Sequence, residues 1–130
     1  MSQSHLQFEP GDLADGLPEE GFHQAVIAAA RLRTSESGNP TVQVIYRLPQ
    51  SAPGAPSVVE YFVVDGATPG ALAISRRRLV ALYRACGLEP RSGDRIEPHN
   101  LVDSQLEIRI GHERFAGTLR PRVLGYRSRP

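Results

Sequence analysis

The residues of this chain that could do chemistry are arginines and aromatic rings rather than a catalytic set. All fifteen basic residues are arginine, and the chain has no lysine. Arginine forks onto phosphate groups and stacks on aromatic faces. Binders of single-stranded nucleic acid combine a cationic groove with aromatic rings on which bases stack, worth about 1–3 kcal/mol per base. This composition favours a polyanionic partner, although a biased genome composition would also produce a chain without lysine.

The charge is distributed unevenly along the chain. Residues 1–70 hold three arginines and eight acids, whereas residues 71–130 hold twelve arginines and six acids. The last 17 residues, 114–130, carry five arginines and no acid. Such asymmetry indicates that the second half meets a polyanion, with a solvated basic tail as the alternative.

Spacing within the predicted strands selects the candidate contacts. Tyr61 and Phe62 are consecutive, so on a strand they point to opposite faces, and the hydroxyl makes Tyr61 the exposed member. Three arginines flank the turn at residues 37–40, and further arginines lie on the last hairpin. The predicted nucleic-acid-binding residues are Arg31, Arg33, Arg47, Tyr61, Arg114, Arg120, Arg122 and Tyr126.

A second arginine cluster is predicted to lie in solvent. Arg76, Arg77 and Arg78 are consecutive on the predicted helix, and consecutive helical positions fan across some 200° of its surface. Because they cannot converge on one phosphate, a solvated helix face is the expected role.

The sequence contains no recognisable catalytic or metal-binding motif. No two of the four histidines are three or four residues apart, and they form no motif with carboxylates at metal spacing. Cys86 ends the apolar side of the predicted helix, so we expect a buried structural thiol. No glycine spacing fits a phosphate loop. We therefore expect no catalytic residue, no metal and no cofactor.

Hydrophobic patterning predicts the elements that position these side chains. Residues 22–33 read as helix or as strand when taken alone. The turn signal at residues 34–40 and the alternating strand 41–48 then favour a hairpin, which makes 22–33 a strand. A third strand follows at 58–64, and a helix spans about 69–86, with Thr68 as its N-cap and Gly87 after its end.

The predicted order is three strands, one helix and two strands, the fourth around Leu106 and the fifth over 115–126. A helix between strands 3 and 4 is the arrangement of a five-stranded OB-like barrel, whose strand 2–3 face and flanking loops bind oligonucleotides. The fold class is thus mainly β. A small α+β sheet with one covering helix would give the same pattern.

Length and composition indicate one soluble domain. The 130 residues suit a single core, with residues 1–20 as a polar, flexible arm and 21–130 as the OB-like domain. No stretch of 18 apolar residues could span a membrane, and the N-terminus lacks a secretion signal. With one cysteine, we expect a cytoplasmic protein without a disulfide.

Four segments carry a resemblance to a known family. They are LPEEGF at 17–22, LRTSESGNP at 32–40, AISRRRLVALYRACGL at 73–88 and NLVDSQLEI at 100–108. Over about residues 17–126 the chain resembles a phage-associated family, formerly a domain of unknown function, that is often labelled single-stranded-DNA-binding-like. The chain departs from it at Asp103 and Ser104, where the family has a small residue and a glycine.

The resemblance implies an OB-like fold and single-stranded DNA as the partner, in replication or recombination, with no catalytic residues. The alternative is an OB-like interaction module that recruits replication or recombination proteins, favoured by the acidic first half of the chain. RNA in place of DNA, and assembly of the chain into a homo-oligomer, are left open by the sequence.

Overall fold

The computed structural model describes residues 17–50 and 57–129. Five strands and one α-helix follow one another in the predicted order, and a short 3-10 helix precedes the fourth strand. The elements are β1 (Gly21–Thr34), β2 (Pro40–Arg47), β3 (Val58–Val63), α1 (Pro69–Ala85), the 3-10 helix (Pro98–Leu101), β4 (Gln105–Phe115) and β5 (Thr118–Ser128). Of the N-terminal arm predicted at residues 1–20, residues 1–16 lie outside the described part of the chain.

The ambiguous first segment is a strand because each of its two halves pairs with a neighbouring strand. The N-terminal half of β1 pairs antiparallel with β4, and the C-terminal half pairs antiparallel with β2. Val26 lies where both ladders meet, and the register shifts between Ile27 and Ala29. Helix propensity of the alanines is outweighed by these two ladders. The long, bulged β1 is therefore the central strand that joins the two halves of the sheet.

The sheet has the order β3-β2-β1-β4-β5, and all its pairs are antiparallel. Among the described residues no ladder of backbone hydrogen bonds joins β3 to β5, so the sheet is not closed into a barrel. The mainly β class with one helix is confirmed. The two edge strands nevertheless face each other, since a cleft is lined by residues of both.

The core lies on the inner face of the curled sheet, beneath α1. Alternate residues of the strands are fully buried, and the helix adds Leu79, Leu82 and Ala85. The largest fully buried side chains are Tyr46, Phe62, Ile27, Leu82, Leu101, Leu106, Ile108 and Ile110. Burial of this apolar surface is the main stabilisation of the fold.

Turn and cap residues fix the ends of the elements as the sequence predicts. The Thr68 hydroxyl accepts a hydrogen bond from the N–H of Ala71, which caps α1. Gly87 follows the helix with φ +83°, and Gly38 takes φ +87° in the β1–β2 turn. Both values lie in the left-handed region that glycine enters at little cost.

Candidate nucleic-acid interface

Four of the predicted site residues lie on the outer face of β1, β2 and β3. Directly paired residues of antiparallel strands project to the same face. Arg31 pairs with Gln43, and Gln43 pairs with Tyr61, so these three form one row across the strands. Arg33 and Arg47 lie on the same face by strand alternation. The sheet thus presents one exposed ring beside a set of arginines.

Hydrogen bonds hold this row in place. The Arg33 guanidinium donates to Oε1 of Gln43 at 3.3 Å, and Nε2 of Gln43 donates to the Tyr61 hydroxyl at 3.3 Å. Tyr61 is 59% exposed, whereas its neighbour Phe62 is fully buried. The predicted division of this pair between surface and core is therefore confirmed. More than half of the Tyr61 surface is therefore open to solvent.

Tyr61 also lines a cleft that separates the two edge strands. This cleft, called here the edge cleft, has a volume of about 430 Å³. One wall comes from β3, and the other comes from β5 and the end of β4. The residues that line it are Ser57, Val59, Glu60, Tyr61, Arg78, Glu113, Arg120, Pro121, Arg122 and Val123. Tyr61, Arg120 and Arg122, predicted from distant parts of the sequence, therefore meet at one cleft.

The β5 wall of the edge cleft carries more positive than negative charge. Arg120 donates from Nε to Oε1 of Glu113 at 2.8 Å, and Arg122 lies 3.7 Å from the other oxygen of the same carboxylate. The Arg120 guanidinium is stacked 4.0 Å from the centre of the Phe115 ring. One carboxylate thus serves two guanidinium groups, which remain about half exposed. This leaves capacity for a phosphate.

A buried polar cluster lies at the base of the edge cleft. The Glu60 carboxylate is only 6% exposed, and it accepts hydrogen bonds from the Tyr46 hydroxyl at 2.8 Å, from the Tyr126 hydroxyl and from the Arg78 guanidinium. Arg78 also donates to the Tyr126 hydroxyl at 3.3 Å. These four residues, named here the Glu60 cluster, belong to β3, β2, β5 and α1. Side chains therefore link the two edge strands that no backbone ladder joins.

Burial raises the pKa values of both tyrosines in the Glu60 cluster. Desolvation raises the pKa of Tyr126 to about 12, with Arg78 acting in the opposite direction. Burial also raises the pKa of Tyr46 well above its usual value. Both hydroxyls therefore remain protonated at neutral pH and donate to the Glu60 carboxylate.

Three predicted site residues belong neither to the Tyr61 row nor to the lining of the edge cleft. Tyr126 points inward and belongs to the Glu60 cluster. Arg114 donates to the carbonyl of Gly117 at 3.3 Å in the β4–β5 turn. Arg47 lies on the outer face at the far end of β2, opposite Val26. The structure therefore brings together Arg31, Arg33, Tyr61, Arg120 and Arg122, but not these three.

The expectation that the helical arginine cluster lies in solvent needs correction. Arg76 donates to the carbonyl oxygen of Val64, and Arg78 forms an ion pair with Glu60. The ring of Phe62 lies 5.4 Å from the Arg78 guanidinium. Arg76 and Arg77 both remain exposed as expected, although Arg76 is hydrogen-bonded to the protein, and Arg78 is partly buried. Because β3 places a buried carboxylate and a free carbonyl beside α1, these guanidinium groups turn towards the protein.

A signal for Arg78 was present in the sequence. Val58, Glu60 and Phe62 alternate on one face of β3, so Glu60 occupies a core position. A buried carboxylate requires a charged or hydrogen-bonding partner. The arginines of the following helix are the first cations after Glu60 along the chain. Gln43, Glu113 and Phe115, in contrast, become part of the site only through cross-strand pairing.

Other chemistry-bearing groups form no second site. Burial raises the pKa of the Cys86 thiol, so it is a poor nucleophile at neutral pH. No group of three histidine, cysteine or acidic side chains within residues 17–50 and 57–129 could hold a metal ion. No helix in the described part of the chain is long and apolar enough to cross a membrane.

Comparison with known proteins adds no identification. No family model matches the chain, and no curated protein is significantly similar to it.

Proposed function

We propose that this protein binds single-stranded DNA without catalysis, along the outer face of β1–β3 and across the edge cleft. The observation that carries this proposal is the meeting of Tyr61 with Arg120 and Arg122 at one cleft. An exposed ring supplies a stacking face, and guanidinium groups on the opposite wall supply phosphate contacts. We further propose that the protein acts in replication or recombination, as its resemblance to the phage-associated family implies.

The strand order supports an OB-like architecture for this proposal. An OB-fold is a partly open, five-stranded barrel that binds oligonucleotides on its strand 2–3 face, between the loops that join strands 1–2 and 4–5. Here Gln43 and Tyr61 occupy the strand 2–3 face. Arg120 and Arg122 extend from the strand 4–5 hairpin. We propose that the edge cleft is the opening of such a barrel, spanned at its base by the Glu60 cluster.

The available groups set the expected strength of binding. Arg31, Arg33, Arg120 and Arg122 can neutralise about four phosphates, which predicts a slope of log K against log salt of about −3 for a single strand. Among the described residues, Tyr61 is the one exposed aromatic ring on this surface that is not already stacked on an arginine. We therefore expect modest affinity with a strong dependence on salt.

Fluorescence anisotropy with a labelled oligothymidylate provides the test, at several salt concentrations. The oligomer should have about 20 nucleotides, longer than the 4–16 nucleotides that one OB-fold occupies. Arg120→Gln combined with Arg122→Gln should flatten the slope by about 1.4 and lower the affinity about 10- to 30-fold near 0.1 M salt. A duplex of the same length should bind more weakly than the single strand, because its bases cannot stack on Tyr61.

The matched control is Arg77→Gln combined with Arg95→Gln, since both side chains are exposed and lie outside the edge cleft. This control removes the same charge and should change the slope little. Equal effects of the two double variants would contradict the proposed surface, and absence of binding at low salt would contradict the function itself.

A protein-interaction role is the second candidate, and it is favoured by the outer edge of β3, which pairs with no strand among residues 17–50 and 57–129. The N–H of Val64 donates to the carbonyl of Pro40. By the alternation of an antiparallel ladder, the backbone groups of Val59 and Tyr61 then point away from β2. An unpaired edge with exposed apolar side chains can accept a strand from a partner. Lack of DNA binding together with protection of these amides by a replication or recombination protein would favour this role.

A further inference from the structure

The acidic residues of the chain are concentrated at its N-terminus. Residues 1–20 contain five acids and no arginine. Three of these acids, Glu9, Asp12 and Asp15, precede the first described residue, Leu17. The turn end of the β4–β5 hairpin, residues 113–122, has the opposite charge. It carries three arginines, Arg114, Arg120 and Arg122, and one acid, Glu113. Opposite charge is therefore available at two places in one molecule.

The structure places the residues that directly follow these three acids at this hairpin. Leu17 lines a second cleft, of about 510 Å³, together with Arg114 and Arg120. The carbonyl of Pro18 lies 2.6 Å from Nε2 of His112 on β4, and a carboxylate oxygen of Glu20 lies 3.9 Å from Nδ1 of the same ring. The chain is thus held against the basic hairpin immediately after its acidic segment.

Two neighbouring residues of β5 line both this second cleft and the edge cleft. They are Arg120 and Pro121, so the two clefts lie next to each other along β5. An extended chain spans at most about 3.3–3.6 Å per residue. Asp15 can therefore lie within about 7 Å of Leu17, and Asp12 and Glu9 within about 18 Å and 29 Å. This length is sufficient for the three carboxylates to follow β5 from Arg120 to Arg122.

We propose that the acidic segment, residues 9–15, docks on the β4–β5 hairpin of its own chain and occupies the β5 wall of the edge cleft. Its carboxylates pair there with Arg114, Arg120 and Arg122. The segment then competes with a nucleic-acid phosphate for the same guanidinium groups. The docking follows from the charges and from the position of Leu17, whereas the competition rests on the proposed function.

The test uses the full chain with Glu9→Gln, Asp12→Asn and Asp15→Asn combined. The control combines Glu89→Gln, Glu97→Gln and Asp103→Asn, which removes three exposed carboxylates near the start of β4. Nuclear magnetic resonance spectra without any nucleic acid report docking directly. We expect the first variant, and not the control, to shift the backbone amide of Tyr61 and the guanidinium Nε–H signals of Arg120 and Arg122.

Affinity for the labelled oligothymidylate reports the competition. If the edge cleft is free in about a tenth to a third of the molecules, the first variant should bind about three- to tenfold more tightly than the natural chain at low salt. The difference should shrink as salt rises, because salt screens the internal ion pairs as well.

Each outcome decides a separate point. Spectral shifts confined to residues 17–20 and His112 would overturn the docking, as would shifts that depend on protein concentration and so indicate docking between two copies. Unchanged DNA affinity in a variant that shows the expected shifts would overturn the competition. If no form of the protein binds DNA, the proposed function fails, and the spectra still decide whether the segment docks.

Discussion

Two groups of arginine in this protein have similar chemistry and different surroundings. Arg76 and Arg78 on α1 face a carbonyl oxygen and a buried carboxylate of the β3 segment. Arg120 and Arg122 on β5 share one glutamate and line an open cleft. The denser cluster in sequence is therefore the one used to hold the fold together. Free positive charge depends on which acids the fold places nearby, and not on how many arginines are adjacent in the chain.

The largest expected effect concerns the stability contributed by the helical group. Arg78→Met leaves the Glu60 carboxylate buried without its cationic partner. Removing one member of a buried ion pair costs about 3–5 kcal/mol, and we expect about 2–3 kcal/mol because the Arg78 side chain is 41% exposed. Urea denaturation measures the change in the free energy of unfolding. Arg77→Met is the matched control and should change it by less than about 0.5 kcal/mol.

A similar loss of stability in both variants would remove the distinction between these neighbouring arginines. It would also indicate that the Glu60 cluster contributes no more than an exposed arginine on the same helix.

Binding at the edge cleft should depend on the aromatic ring of Tyr61, which lies opposite Arg120 and Arg122. Tyr61→Leu should weaken binding of the single strand by about 1–3 kcal/mol through lost stacking. Tyr61→Phe keeps the ring and loses only the hydrogen bond to Gln43, so its affinity should stay within about twofold. Anisotropy titrations give the affinity, and thermal unfolding shows whether the fold is retained. Equal losses in the two variants would mean that the hydroxyl, and not the ring, contacts the partner.

Alkaline pH should weaken the Glu60 cluster through its tyrosines. Because the pKa of Tyr126 is raised to about 12 in the folded protein, from about 10 when unfolded, the unfolded chain releases its proton first as pH rises. Stability from this group is therefore fully present below about pH 10 and is lost between about pH 10 and pH 12. Denaturation at a series of alkaline pH values measures this decline.

Tyr126→Phe should make that decline shallower, and Tyr61→Phe, which changes an exposed hydroxyl, is the control. An alkaline profile that is the same in all three proteins would contradict the assignment of the decline to Tyr126.

The smallest expected effect is a gain in binding at the β5 pair. Glu113→Gln removes the carboxylate that pairs with both Arg120 and Arg122, so single-strand affinity should rise about threefold, equivalent to about 0.6 kcal/mol at partly exposed ion pairs. Glu107→Gln is the matched control, since Glu107 pairs with Arg127 elsewhere on β4 and β5. A gain of the same size in both variants would indicate a general effect of net charge rather than release of these two arginines.

The sequence determined the elements of this protein, because strand alternation and helix caps depend on near neighbours. The turn at residues 34–40, the Thr68 cap and Gly87 fixed the element ends, and the alternation around Tyr61 and Phe62 assigned the exposed ring correctly. The choice of strand for residues 22–33 already required information from the following hairpin. These features depend on residues close together in the chain, so they form whatever the rest of the fold is.

The tertiary structure alone decided which charges are compensated and which residues share a site. Glu60 and Arg78 are 18 residues apart, and Glu60 and Tyr126 are 66 apart, yet all three meet at the base of one cleft. Likewise Tyr61 meets Arg120 and Arg122 because β1 joins both halves of the sheet and so brings β3 opposite β5. Coulomb and hydrogen-bond energies depend on distance and burial. Those quantities are set by packing between strands distant in sequence, which local pattern does not encode.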